Sequence, residues 1–76
     1  MIHRHRLGSW STPSGNTCDV YLVSRSTVSD LEFCWDCLPL RAHDEAFYRA
    51  VLLPQVARRV QEYLELVGSA LVVVLA

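Results

Sequence analysis

An α+β domain of order β-β-β-α-β, one four-stranded mixed sheet covered on one face by one long kinked helix, is predicted by three observations. Residues 42 to 66, AHDEAFYRAVLLPQVARRVQEYLEL, repeat apolar positions at helical spacing. Cys18, Val20 and Leu22, and again Leu31, Phe33 and Trp35, alternate with their neighbours as half-buried strands do. Residues 70 to 76, ALVVVLA, are an unbroken run of apolar strand formers, the pattern of a strand covered on both faces.

The elements follow in chain order. Residues 3–11, HRHRLGSWS, are the first expected strand, with Gly8 as a candidate bulge. Thr12-Pro13-Ser14-Gly15-Asn16 reads as a turn, because proline presets its first corner and Gly15 or Asn16 accepts positive φ. In the second strand, Thr17 to Ser24, the Cys18 set is expected to face the helix, which leaves Asp19, Tyr21 and Val23 on the other face. A polar turn over Arg25 to Ser29 leads to the third strand, where Glu32, Cys34 and Asp36 alternate against the apolar set.

Within the helix, Ala42, Ala46, Ala50, Leu53, Ala57, Val60, Leu64 and Val67 recur at steps of three and four and form one stripe. Half of that stripe is alanine, which would let the helix lie close on the sheet. Pro54 removes a backbone hydrogen bond and crowds the preceding turn, yet the stripe keeps its register, so one helix kinked near residues 50–54 is expected. Asp44 and Glu45 suit the positive end of the helix dipole, and Gly68 suits a left-handed residue after the last turn. A right-handed crossover then lays the last strand parallel to the first and third.

Composition bounds the function. The 76 residues make a single small domain, residues 1–76, with 51% hydrophobic content and a net charge of −1. All basic side chains are arginine, none is lysine, and no basic stripe calls for direct contact with nucleic acid. The scarcity of lysine, isoleucine and asparagine is that of a GC-rich coding sequence and suggests a bacterial or phage source. The start, MIHRHRLGSW, is not a secretory signal, and the closing apolar run is far shorter than the roughly 20 residues of a membrane span. Three cysteines, an odd number, favour reduced thiols. A cytoplasmic protein is expected, in the host cytoplasm if phage-encoded, with no membrane partner.

Cys34-Trp35-Asp36-Cys37 has the spacing of a metal or thiol-exchange pair, but a structural zinc needs four ligands and no second paired spacing exists. Cys18 also lies on the opposite strand face. Cys34 and Cys37 therefore stand as an alternative metal or redox site, and no metal or cofactor is expected. His3 and His5 share a strand face and read as a solvated edge, with Arg4 and Arg6 opposite. His43-Asp44-Glu45 are consecutive on a helix and point apart. With no phosphate loop and no nucleophile motif, the chain is expected not to be an enzyme.

Two surfaces remain as candidates for binding another protein. One is the sheet face away from the helix, with Asp19, Tyr21, Glu32 and Asp36, read as acidic around an aromatic centre. The other is a second helix arc of Phe47, Val51 and Pro54 rimmed by Arg49 and Arg58, which also suits a homodimer. An acidic face can occlude a basic surface on a partner by placing carboxylates where phosphates would sit. In size and lack of catalytic residues the chain is similar to the small phage-encoded proteins that block bacterial defence complexes, anti-CRISPR proteins among them. That likeness implies an inhibitory binding role and transfers no residue. A metal-binding or thiol-redox module and a homodimeric structural subunit are the alternatives.

Overall fold

Alternation and turn chemistry produce a three-stranded antiparallel sheet with one helix across it. The computed structural model describes residues 2–26 and 28–67 and the backbone of residues 72–74. Strands β1 (Ile2–Ser11), β2 (Thr17–Arg25) and β3 (Val28–Trp35) lie side by side in that order, each antiparallel to the next. The expected fourth strand, Ala70 to Leu75, falls mostly outside the described residues. Only Val72–Val74 are described there, in parallel register with Val28 to Asp30. Gly68, the expected helix terminator, also lies outside them.

Gly15 is the turn residue that takes positive φ, at 89°, and its N–H donates to the Thr12 carbonyl at 2.9 Å. The second turn is tighter than expected: Arg25 already pairs with Val28, and Ser26 has a φ of 54°. Leu7 is the extra residue of a bulge in β1, because Arg6 pairs with Tyr21 and Gly8 with Val20. The bulge changes which face successive side chains take. It also frees the Leu7 carbonyl, which accepts a hydrogen bond from Arg59 Nη1 at 3.2 Å. A Cβ at Gly8 would lie 3.0 Å from the Trp10 ring, so any larger residue there requires that ring to shift by a few tenths of an ångström.

The helix runs through α1 (Ala42–Phe47), a π-helical turn (Tyr48–Leu52) and α2 (Leu53–Val67). The strain that proline imposes on the preceding turn is met by widening that turn, and the Leu53 N–H reaches back to the Tyr48 carbonyl. One extra residue in the turn shifts the helix register, and this corrects the expected stripe. The residues against the sheet are Leu52, Val56 and Val60, with Tyr48, Tyr63 and Leu64 beside them. Ala42, Ala46, Ala50 and Ala57 are exposed. Val60 and Leu64 of the expected stripe do pack against the core, so a 3.6-residue period carried unbroken across the π turn finds the packed side only in the second half of the helix.

The core unites both elements: Leu7, Cys18, Val20, Leu22, Leu52, Val56 and Val60 are buried together. Phe33 and Trp35 meet Tyr48 edge-on, with ring centroids 5.2 and 6.3 Å away. Phe47 packs half-buried against the same cluster, so part of the second helix arc is covered from within. Gln55 and Arg59, exposed on the helix flank, bond to β1, where Gln55 Oε1 accepts from Trp10 Nε1 at 2.7 Å.

The helix start is tied to the first turn by a buried polar network. Asp44 is 3% exposed. It accepts from Ser14 Oγ at 3.1 Å, from Asn16 Nδ2 at 3.4 Å and from the Arg41 N–H at 3.2 Å. The last of these caps the helix. Burial pushes the Asp44 carboxyl up, but donors from Arg41, Ser14, Asn16 and Thr12 outweigh it and leave the group below its ordinary value.

Candidate functional site

The helix covers one sheet face, and the opposite face is assembled from residues alternating with the core set. On β2 these are Asp19, Tyr21 and Val23; on β3, Asp30, Glu32 and Cys34; on β1, Arg4, Arg6 and Ser9. Asp36 follows at the end of β3, where its N–H donates to the Thr17 carbonyl at 2.8 Å. The structure thus brings Asp19, Tyr21, Glu32 and Asp36 onto one face, as their parity implies.

What parity alone does not show is the charge arrangement, and here the acidic reading is corrected. Arg6 lies in register with Tyr21 but leans one step along the sheet to Asp19, at 3.2 Å. Arg4 lies in register with Val23, crosses the Tyr21 ring at 4.4 Å from its centroid and ends in an ion pair with Glu32. Two of the expected carboxylates, Asp19 on β2 and Glu32 on β3, are thereby matched by arginines of β1. The face is basic along β1, aromatic at its centre and acidic along β3, rather than uniformly acidic.

The pairs polarise their members. Hydrogen bonds from Ser9 and Arg6 hold the Asp19 carboxyl below its ordinary value. The bond to Glu32 raises the Arg4 guanidinium further. Exposed ion pairs of this kind contribute little to stability. They leave the face with a row of each sign.

Two of the thiols, Cys18 and Cys34, are shifted toward their protonated form. Cys34 is exposed on this face, and desolvation followed by the neighbouring Glu32 raises its pKa. Cys18 is buried on the helix side, where burial pushes it to about 12. Cys37 is exposed in the loop beyond β3, and its backbone is bonded to Asn16. Among the described residues, no group of three or more His, Cys, Asp or Glu side chains is placed to hold a metal.

The remaining candidates divide. His5 lies on the helix side and stacks on Tyr63 at 4.0 Å, so the His3 and His5 pair does not open onto the helix-free face. Val51 is half-buried, whereas Pro54 and Arg58 are exposed. Ala46 and Ala50 join Pro13, His43 and Phe47 around an open apolar groove of about 580 Å³ beside the first turn. Sequence reasoning missed the latch of Ser14, Asn16 and Asp44, whose partners stand 28 and 30 positions apart. Among the described residues, no helix is long and apolar enough to cross a membrane. No protein-family model, no curated protein and no solved structure matches the chain, so its surface must be read from its chemistry.

Proposed function

We propose that the chain is a small non-catalytic binding protein that works by occupying a surface on another protein, with the helix-free sheet face as its contact. The observation that carries this reading is Tyr21. It stands half-exposed on the central strand of the three, flanked by the ion pairs of Arg4 with Glu32 and Arg6 with Asp19. An aromatic anchor inside a polar rim is the composition of an interface centre. A sheet ordered before binding also loses little entropy on association.

Within that reading, the apolar end of the chain serves as the fourth strand, parallel to β3, and completes the scaffold. The partner is a protein or protein complex in a bacterial cytoplasm, and the role is inhibitory, like that of phage-encoded blockers of defence complexes. Carboxylates of β3 meet basic groups of the partner, while Arg4 and Arg6 restrict which basic surfaces fit.

The test is expression in bacteria whose CRISPR system targets a phage, comparing wild type with Tyr21→Ala and Glu32→Arg. The expected result is restored plaquing by wild type and loss of the effect in both variants, each still folded by circular dichroism. Protection equal in all three proteins removes this face from the mechanism, and no effect of wild type removes the inhibitory role.

A further inference from the structure

The helix-free face is complementary to itself. Its rows follow from the strand register: Arg6, Tyr21 and Glu32 lie level across the sheet, as do Arg4, Val23 and Asp30, and then Ile2, Arg25 and Val28. The outer row of β1 is basic and that of β3 acidic, with Tyr21 on the strand between them.

A two-fold axis parallel to the strands and facing β2 brings a second copy face to face. On the axis Tyr21 then meets itself, as do Asp19 and Arg25 toward the strand ends, while Val23 is already buried within the chain, and β1 of one copy lies over β3 of the other at the same level. Arg6 faces Glu32 of the second copy and Arg4 faces its Asp30. Both contacts occur twice by symmetry. Tyr21 approaches Tyr21 on the axis with the Arg4 guanidinium of each copy over its own ring, a cation and aromatic pair that the contact encloses. Ile2 and Val28, large apolar side chains left 62% and 43% exposed in the single chain, are laid over each other. Arg25, near the strand end at the rim, faces its own copy, which limits the affinity. Sheets pack face to face with strands nearly aligned, so the arrangement is one that sheets adopt.

We infer that the chain pairs with a second copy of itself through this face, as a reversible, salt-sensitive dimer of two stacked sheets. The inference goes beyond the proposed function and stands without it. If both hold, self-association masks the surface that a partner needs, and the partner binds by competing with the second copy.

Sedimentation of the whole chain over a concentration series, at low and high salt, tests the dimer. The expected result is a concentration-dependent mass whose midpoint moves to higher concentration as salt is added. Arg6→Glu or Glu32→Arg alone sets like charges opposite each other and weakens the dimer at least about tenfold. The double variant Arg6→Glu with Glu32→Arg restores association.

A second measurement does not depend on charge variants folding. Tyr21→Cys in a background of Cys34→Ser and Cys37→Ser places one thiol on the axis, and because stacked sheets lie about 10 Å apart, a short bismaleimide is expected to join the two copies by adding to one thiol of each. A chain that stays monomeric at every concentration and salt overturns the inference. So does a dimer that strengthens with salt or ignores both single reversals, or a Tyr21→Cys protein that does not cross-link. These readings use purified protein and are independent of the plaquing test, so the two ideas fail separately.

Discussion

The side chain of Asn16 holds the backbone of Cys37 at two points: its Nδ2 donates to the Cys37 carbonyl at 3.0 Å, and its Oδ1 accepts the Cys37 N–H at 2.9 Å. Asn16 is 5% exposed and also donates to Asp44 at 3.4 Å. One amide therefore joins the first turn, the loop after β3 and the start of the helix. This placement fastens the helix start to the end of the β2–β3 pair where β2 begins and β3 finishes.

Asn16→Ala removes both halves of that bridge and leaves the Cys37 backbone groups without their partner. The Cys37 groups are only partly buried and can turn to water, but the buried Asp44 also loses a donor, and a stranded buried polar group costs about 1–3 kcal/mol. In a domain of this size each kcal/mol moves Tm by about 4–8 °C. A melt followed by circular dichroism should show the loss, and an unchanged Tm would mean that the latch does not hold the turn to the helix.

Leu52 and Leu53 separate the two possible faces of the helix. Leu52 is fully buried in the core, while Leu53 is only half-buried on the flank. Leu52→Ala is expected to cost about 2–5 kcal/mol, as for other buried leucines, and Leu53→Ala clearly less. Chemical denaturation of both variants decides the register. Equal losses, or a larger loss at Leu53, would restore the alanine side as the packed one.

Much of the fold was legible because its signals are local. Cys18, Val20 and Leu22 alternate at a period of two, Gly15 can take a φ closed to most residues, and Asp44 and Glu45 mark the first turn of a helix. The packed side was legible only in the second half of the helix, because the π turn at Tyr48–Leu52 inserts a residue and spacing arithmetic has no term for it. The charge pattern of the outer face was hidden for a related reason. Whether Arg4 and Arg6 reach Glu32 and Asp19 depends on the β1–β2 register, which is set between distant residues. The Asn16 and Asp44 latch has no local signature either.

Thiol reactivity should follow the two sheet faces. Cys18 is buried with its pKa pushed to about 12, whereas Cys34 and Cys37 are exposed. A thiol reagent added to native protein is expected to modify Cys34 and Cys37, with Cys18 reacting only after denaturation. Mass mapping of the labelled peptides reads this directly. Cys18 labelling as fast as the others would contradict the packing of β2 against the helix.

Asp44 should make stability fall in acid. Its folded-state pKa lies below the ordinary value of about 3.9. The contribution is therefore complete above that ordinary value and is lost as pH drops through the lower, folded-state one. Asp44→Asn keeps the size of the side chain but loses the charge, and its amide places donors against the donors of Ser14, Asn16 and Arg41. The variant should be less stable than wild type at neutral pH, and the difference should shrink as pH falls below the carboxylate range. Asp19 is also lowered, by Ser9 and Arg6, and its acid limb persists in both proteins, so it cancels in the comparison. Urea midpoints measured from neutral to acid pH test this, and a gap that stays constant throughout would show that the ionised form of Asp44 does not hold the helix start.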